Sequence, residues 1–573
     1  MATKDLRRKN VLGVSAETLA LAIILAAFFG ISFIISASLW VSQKVTGQPE
    51  GDIPVNPIVV AILVGRGKIT WTSTATVVAV ILVCAILAAL GAIVALRRPR
   101  KDARRVDNVS KYLGDKSDVS SLSRKNAEET AAQWFPAEIA RTYPGFNFGR
   151  VPGKKTPLYS TWEDLFLIIF GPRMGKTTTQ VIPAIFTAPG PVVTTSNKRD
   201  LVDDTVAVTS ARGNVWVFDP QDIAHYDQEE WFFDPLDSLR RDPNRMDTAA
   251  IALADIFRSA AFGAKQAEDF WVVKGRDILA RLFLAAAVDN RPITAAFGWV
   301  NDMRDTTPVN ILDEHPEWQM QAEALRADYA TVEETRSGLF TQGQQMAAPL
   351  GRRATGQWVT PRAGARRFSA EEFVRSRHDT LYLLSKEGPD NAAALTSALV
   401  AAVMQAAERY GEECGGRLPV PLVAPLDEAA NTVRWPELPK LYSHYGSRSI
   451  ILMTILQSYT QGVSVWGEEG MEALWSAASI VLYGGGVRDQ KMLEKMEALI
   501  GEAAEKSRQS STSQASTSIS TSYQEKKILT VSELASLEAG RAVAFITKRR
   551  PLLIETVPFF KRQWQNTTRK VRR

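Results

Sequence analysis

An α/β fold is what this 573-residue sequence predicts: a mostly parallel sheet covered on both faces, with an all-α insertion and a two-helix membrane hairpin in front. Three observations predict it. Short apolar runs alternate with helical periodicity from about residue 145 onward. That alternation gives way to helix-period patterns alone between residues 237 and 354. Two long stretches almost free of charge lie within the first hundred residues. With 45% hydrophobic residues, the chain can bury a sizeable core and two soluble folding units beyond the membrane part.

Residues 1–15 read as a cytoplasmic N-terminus. Residues 16–41 contain one acid, Glu17, at their edge, and residues 74–96 contain no charge, so each can cross about 30 Å of hydrocarbon as a helix. The first is too long for a cleaved signal peptide and lacks a small-residue cleavage site. Lys4, Arg7, Arg8 and Lys9 precede the first span, and Arg97, Arg98, Arg100, Lys101, Arg104 and Arg105 follow the second. By the positive-inside rule both termini are expected in the cytoplasm. The external segment, residues 42–73, holds an apolar piece, Ile58 to Val64, too short to span and suited to the membrane interface.

Residues 97–144 read as a basic and polar linker. Strands are expected at 165–170, 191–196, 214–218, 379–384, 420–426, 450–456, 479–483 and 541–547. They divide a nucleotide-binding domain into residues 145–236 and 355–560. Helices are expected at 249–261, 271–288 and 320–329 within the all-α insertion, residues 237–354. The Ser/Thr-rich run 507–524 fits either a mobile segment or an exposed strand pair. Residues 561–573 form a basic tail that can bind anionic lipid or DNA, or simply be solvated.

The chemistry is concentrated at three strand ends. Phe170-Gly171-Pro172-Arg173-Met174-Gly175-Lys176-Thr177 follows an apolar run and leads into a Thr-rich segment with helical prospects. Such a turn aims successive backbone N–H groups and a helix N-terminus at one point, which suits a polyphosphate. Gly171, Pro172, Arg173, Met174, Gly175 and Thr178 are therefore candidate ATP-binding residues. Lys176 is the candidate for neutralising the β- and γ-phosphates, and Thr177 for holding Mg²⁺. The spacing is G-x-x-x-G-K-T, one residue shorter than usual, which leaves a Gly/Pro surface turn as the alternative.

About 250 residues later an apolar run ends in Asp427-Glu428. Asp427 is the second candidate for the Mg²⁺ shell, and Glu428 the candidate for polarising an attacking water. A third run, Ile450 to Leu456, ends at Gln457, where a polar side chain can contact a γ-phosphate. Loop, acid pair and polar strand end in this order point to an ATP hydrolase.

Charge adds a constraint. The net charge is +6, but residues 1–105 carry 13 basic and 5 acidic side chains and residues 541–573 carry 10 and 1, leaving about −11 for the middle. A nucleic-acid footprint must then be local, a lined pore or the tail. Cys84 and Cys414 are too few and too differently placed for a disulfide framework, and the four histidines show no metal-ligand spacing.

From Pro421 to Gln461 the chain resembles the coupling proteins of conjugative type IV secretion systems, the TraD/TraG-like family, relatives of FtsK-type hexameric DNA translocases. The resemblance rests on Leu426-Asp427-Glu428-Ala429-Ala430-Asn431, Trp435-Pro436-Glu437-Leu438, Gly446-Ser447-Arg448-Ser449-Ile450 and Leu456-Gln457-Ser458-Tyr459-Thr460-Gln461. Weaker matches are Thr195 to Asp200, Phe218-Asp219-Pro220, Phe233-Asp234-Pro235-Leu236, and Leu529 to Leu537 with Gly540. It implies a RecA-like P-loop NTPase anchored in the inner membrane, assembled as a homo-hexamer. It also implies an all-helical domain that meets the DNA or its relaxase. Arg448 matches a family arginine and is the candidate for the transition-state cation that a ring ATPase often draws from the neighbouring subunit; a surface arginine is the alternative. The implied function is driving single-stranded DNA, with its relaxase, to a type IV secretion channel. Protein effectors or double-stranded DNA as cargo, and a docking platform with little hydrolysis, remain as alternatives.

Overall fold

The computed structural model describes residues 16–46, 53–97, 104–154, 156–388, 392–513 and 516–562, in two compact units, residues 1–102 and 103–573. In the first unit, Ala16–Thr46 and Ser73–Arg97 are helices, and both contain stretches long and apolar enough to cross a membrane. Between them the short helix Pro57–Gly65 starts at Asn56, whose side chain accepts from the Ile58 N–H at 3.0 Å. Val60 of that helix is buried with Leu39 and Ala75, and the hydroxyls of Ser42 and Thr72 are hydrogen-bonded at 2.8 Å. The segment between the long helices thus folds onto them. The basic clusters Lys4 to Lys9 and Arg98 to Lys101, and the tail from residue 563, lie outside the described residues.

The second unit is organised by one 11-stranded sheet. Its strands are β1 (Asn147–Arg150), β2 (Pro157–Tyr159), β3 (Phe166–Ile169), β4 (Val192–Ser196), β5 (Val215–Phe218), β6 (Thr380–Leu384), β7 (Leu422–Leu426), β8 (Ile450–Leu456), β9 (Ile480–Tyr483), β10 (Arg541–Ile546) and β11 (Leu552–Glu555). Their spatial order is β2-β1-β11-β10-β9-β3-β8-β7-β4-β6-β5. Neighbours from β9 to β5 are parallel, and those from β9 back to β2 antiparallel.

The parallel strands form because their residues are apolar on both faces, so both faces must be covered. Phe166 and Ile168 of β3 enter one core with Val423, Ile451, Met453 and Ile455; Leu167 and Ile169 enter the other with Leu422, Leu426, Ile450 and Leu452. Helices of the insertion pack into the second core, chiefly Met246–Phe262, Phe270–Val288 and Glu333–Ala347, with Phe257 and Phe283 edge to face at 5.2 Å. The helices Thr294–Asn301 and Thr307–Asp313 also lie in this insertion, although no sequence pattern marked them.

Two expectations need correction. The sheet gains β1, β2 and β11, which sequence patterning did not mark. The polar segment read as a linker is instead packed in the second unit: it carries short helices at Lys116–Ser120, Arg124–Ala131 and Ala137–Thr142, and its Leu122, Ala127, Ala131 and Ala140 are buried. Its scattered small apolar residues made a weak signal, and the ion pair of Asp107 with the buried Arg541 adds a contact across more than four hundred residues. Residues 502–513 and 516–527 form an antiparallel hairpin in unbroken register from Glu502↔Lys527 to Ser513↔Ser516, which settles the open reading of the Ser/Thr-rich run as a strand pair.

Candidate active site

The phosphate-loop candidate begins where β3 ends. Two residues there have positive φ, Arg173 at 62° and Gly175 at 83°. Glycine adopts that geometry freely, whereas arginine does so at a cost of about 1 kcal/mol. The next turn, Thr177–Val181, is a π-helical turn that runs into the α-helix Ile182–Thr187. Pro183 has no N–H to donate to the Thr179 carbonyl four residues back. Arg562 Nη2 donates to it instead at 2.9 Å, and Arg562 Nη1 donates to the Asn147 carbonyl at 2.9 Å. Burial pushes the Arg562 guanidinium down to about 10.

Gly171 explains how a shortened loop is seated. Its N–H donates to the Gly485 carbonyl at 2.9 Å, and a Cβ built on it would lie 2.2 Å from the Gly486 carbonyl oxygen. The Gly484-Gly485-Gly486 turn after β9 is therefore the floor of the loop, with Met174 packed on it. Gly171→Ala should force the two backbones apart at a cost of about 1–3 kcal/mol. The expected result is a lower melting temperature together with weakened binding of a fluorescent ATP analogue. Unchanged values for both would show that the loop does not rest on this floor.

Opposite the loop, Thr194 Oγ1 donates to the Pro425 carbonyl at 2.9 Å and Thr195 Oγ1 to the Asp427 carbonyl at 2.6 Å, so β4 fixes the end of β7. Asp427 and Glu428 are buried, at 3% and 6% exposure. Asp427 Oδ2 accepts from Thr177 Oγ1 at 2.6 Å, and its Oδ1 lies 3.7 Å from Lys176 Nζ. Burial pushes the Asp427 carboxyl up, while Lys176 and Thr177 pull it the other way. Glu428 Oε1 receives both the Lys176 ammonium and Gln457 Nε2, the latter at 2.5 Å. Glu428 Oε2 is buried and has no hydrogen-bond partner among the described residues. The backbone of Glu428 is left-handed, φ 54° and ψ 39°, a conformation that costs a non-glycine residue roughly 1 kcal/mol and that turns its carboxylate toward the loop.

Lys176, Thr177, Asp427, Glu428 and Gln457 thus come together from the ends of the adjacent strands β3, β7 and β8. Thr178 turns back, its hydroxyl donating to the Gly175 carbonyl at 3.2 Å. The arrangement offers one cation, one hydroxyl beside a buried carboxylate, and a second carboxylate with a spare oxygen. That set suits a phosphate–Mg²⁺ pair and an activated water.

With this geometry established, residues 421–539 match the family model of the TraM recognition site of TraD and TraG. The bacterial conjugative coupling protein TrwB, lacking its first 70 residues, superposes with a TM-score of 0.52 at 16% identity, over 76% of this chain and 91% of that one. The unit of residues 103–573 has a fold like that of the conjugative coupling protein TrwB. TrwB in complex with ADP and Mg²⁺ gives 0.51 at 17% identity over 72% of this chain and 89% of that one. TrwB with a non-hydrolysable ATP analogue gives 0.50 at 18% identity over 69% and 86%. No curated protein matches the sequence. The family match and the fold bear out the resemblance read from Pro421 to Gln461.

On this coupling-protein fold Arg448 stands apart from the cluster. It ends the turn Gly446–Arg448 at the start of β8, about 20 Å of strand away from Gln457 at the other end. There it donates to Glu408 at 2.6 Å and Glu412 at 3.1 Å. Sequence reasoning missed Thr194, Thr195 and the glycine turn; three consecutive glycines after an apolar run were the available signal.

Proposed function

We propose that the chain is a membrane-anchored ATPase that couples ATP hydrolysis to the transfer of single-stranded DNA, with its relaxase, toward a conjugative type IV secretion channel. The observation that carries this reading is the convergence of Lys176, Thr177, Asp427, Glu428 and Gln457. Lys176 and the 171–178 loop hold the phosphates. Thr177 and Asp427 would hold Mg²⁺, which would offset phosphate charge when bound. The fit is supported by the donor set, a hydroxyl and a buried carboxylate side by side, and by Glu428 Oε2, which has no partner among the described residues.

Glu428 takes a proton from the attacking water, and its spare oxygen leaves capacity for that proton. Gln457, tied to the same carboxylate, registers the γ-phosphate. Lys176 pairs with Glu428 as well as lying near Asp427, so a bound phosphate would compete with the acids for its charge. Arg448 acts in a neighbour's site within a homo-hexamer, which agrees with its distance from its own. The hairpin of residues 16–97 anchors the protein in the cytoplasmic membrane with both termini inside. The TraD/TraG match supports a docking partner of the TraM kind at residues 421–539.

ATP turnover by the full-length chain in lipid nanodiscs, with and without single-stranded DNA, tests the reading. Turnover that rises with DNA supports the DNA motor. Nucleotide binding without turnover at ring-forming concentrations would replace it with a docking platform.

A further inference from the structure

One short turn of the all-α insertion is held by the chain leaving Glu428 and, separately, by the chain leaving Gln457. The turn is Ala260 to Ala264, where the helix Met246–Phe262 ends. Gly263 closes that end at φ 65°, its N–H donating to the Ser259 carbonyl at 2.9 Å.

The first arm starts at Glu428, whose carbonyl accepts from the N–H groups of Asn431 and Thr432 at 2.8 and 3.1 Å and from Thr432 Oγ1 at 3.1 Å. These bonds wind the short helix Ala429–Thr432, and Arg434 follows it. The Arg434 N–H donates to Ser397 Oγ at 2.8 Å, and its Nη1 donates to the Ala260 carbonyl at 3.2 Å. The second arm starts at Gln457, after which Ser458 caps the helix Tyr459–Ala477. That helix breaks at Gly467, φ 74° and ψ 174°, and just before the break the Ser464 carbonyl accepts from the Ala264 N–H at 3.0 Å. A Cβ on Gly263 would lie 2.7 Å from the same oxygen. The arms are also tied to each other, since Trp466 Nε1 donates to the Trp435 carbonyl at 2.8 Å.

In a continuing helix the Ala264 N–H would donate to the Ala260 carbonyl, four residues back. Here those two groups are shared out, the carbonyl to Arg434 and the N–H to Ser464. Gly263 can take either hand of backbone, so the turn has two arrangements, held open by the arms or wound one turn further. Coupling between sites needs contiguous contacts and an element of this two-state kind. We propose that the turn Ala260 to Ala264 is the joint through which the nucleotide site and the insertion sense each other, with Arg434 as a positioning residue. The inference rests on the nucleotide reading above: a bound phosphate changes the partners of Glu428 and Gln457, and each arm carries that change to the turn. Beyond it the chain enters the helix Phe270–Val288, whose first two side chains, Phe270 and Trp271, are exposed, so the joint alters what the insertion presents to solvent.

The test is amide hydrogen exchange, read by mass spectrometry on the full-length chain in nanodiscs, with and without a non-hydrolysable ATP analogue. Exchange over residues 260–269 should change by about fivefold or more on binding, the lower range of ordinary coupling between sites. Arg434→Met keeps the stem and removes the donors, so it should bind the analogue as the parent does and lose that change. Arg434→Lys restores a donor and should recover part of it, and Gly263→Ala should lose it through the other arm. An analogue that fails to bind the parent sinks the nucleotide reading and this inference with it. Binding with no change over residues 260–269, or the same change in Arg434→Met as in the parent, overturns this inference and leaves the nucleotide reading standing.

Discussion

Lys176→Ala should lose ATP hydrolysis by a factor of about 10²–10³, and Glu428→Gln by about 10²–10⁴, for different reasons that separate measurements can resolve. Lys176 is the cation nearest both acids and the natural partner for the β- and γ-phosphates. Its removal should abolish binding of a fluorescent ATP analogue as well as turnover. It also strips two buried carboxylates of their counter-charge, so the empty protein should melt earlier. Glu428→Gln keeps the shape of the side chain and its contacts with Lys176 and Gln457 but loses proton affinity. That variant should bind nucleotide at least as well as the parent while phosphate release stops. If Glu428→Gln turns over normally, the water-activating role assigned to the acid pair fails. If Lys176→Ala still binds nucleotide tightly, the loop is not the phosphate site.

The largest stability effect is expected at Arg541, a residue with no part in that chemistry. Its side chain is 3% exposed, and Nε and Nη2 donate to the two oxygens of Asp107 at 2.6 and 2.8 Å. Glu555, which also pairs with Arg150 at 2.6 Å, lies 3.9 Å from it. Arg541→Ala should cost about 3–5 kcal/mol, because it leaves two acids facing each other across a vacated site. Arg541→Lys keeps the charge but loses the two-pronged geometry and should fall between the two.

The same pair sets an acid limit. Burial works against the Asp107 charge, but hydrogen bonds from Arg541 and from the Arg104 backbone outweigh it and hold the carboxyl below its ordinary value of 3.8. The stability it supplies is therefore complete above that pH and lost as pH falls through the lower folded value. Thermal melting of the parent and of Asp107→Asn between about pH 3 and 6 should show the difference shrinking toward acid. A gap that is constant with pH would mean that the ion pair contributes nothing.

What the sequence revealed follows from which interactions are local. The parallel strands were legible because a strand buried on both faces must be an apolar run, as Ile450 to Leu456 is. Strands β1, β2 and β11 are short and lie in the antiparallel flank, where Asn147, Arg150 and Glu555 interrupt the pattern. Asp427, Glu428 and Gln457 were legible because they directly follow such runs, and Lys176 and Thr177 because a glycine-rich turn joins them to one. The glycine floor was not, since its role depends on β9 lying beside β3, a pairing across more than three hundred residues. Nor was the left-handed backbone of Glu428, which no residue preference announces.

That same strand order has a consequence in time. Strand β3 emerges near residue 169, but its two neighbours, β8 and β9, begin at residues 450 and 480. At translation speeds of roughly 5–20 residues per second, the wait is roughly 15–60 s. Throughout that interval Leu165 to Phe170, one of the most apolar runs outside the hairpin, has no sheet to enter. Production of this protein should accordingly depend on holding chaperones, and ribosome-associated folding intermediates should be found with the loop strand still accessible to protease.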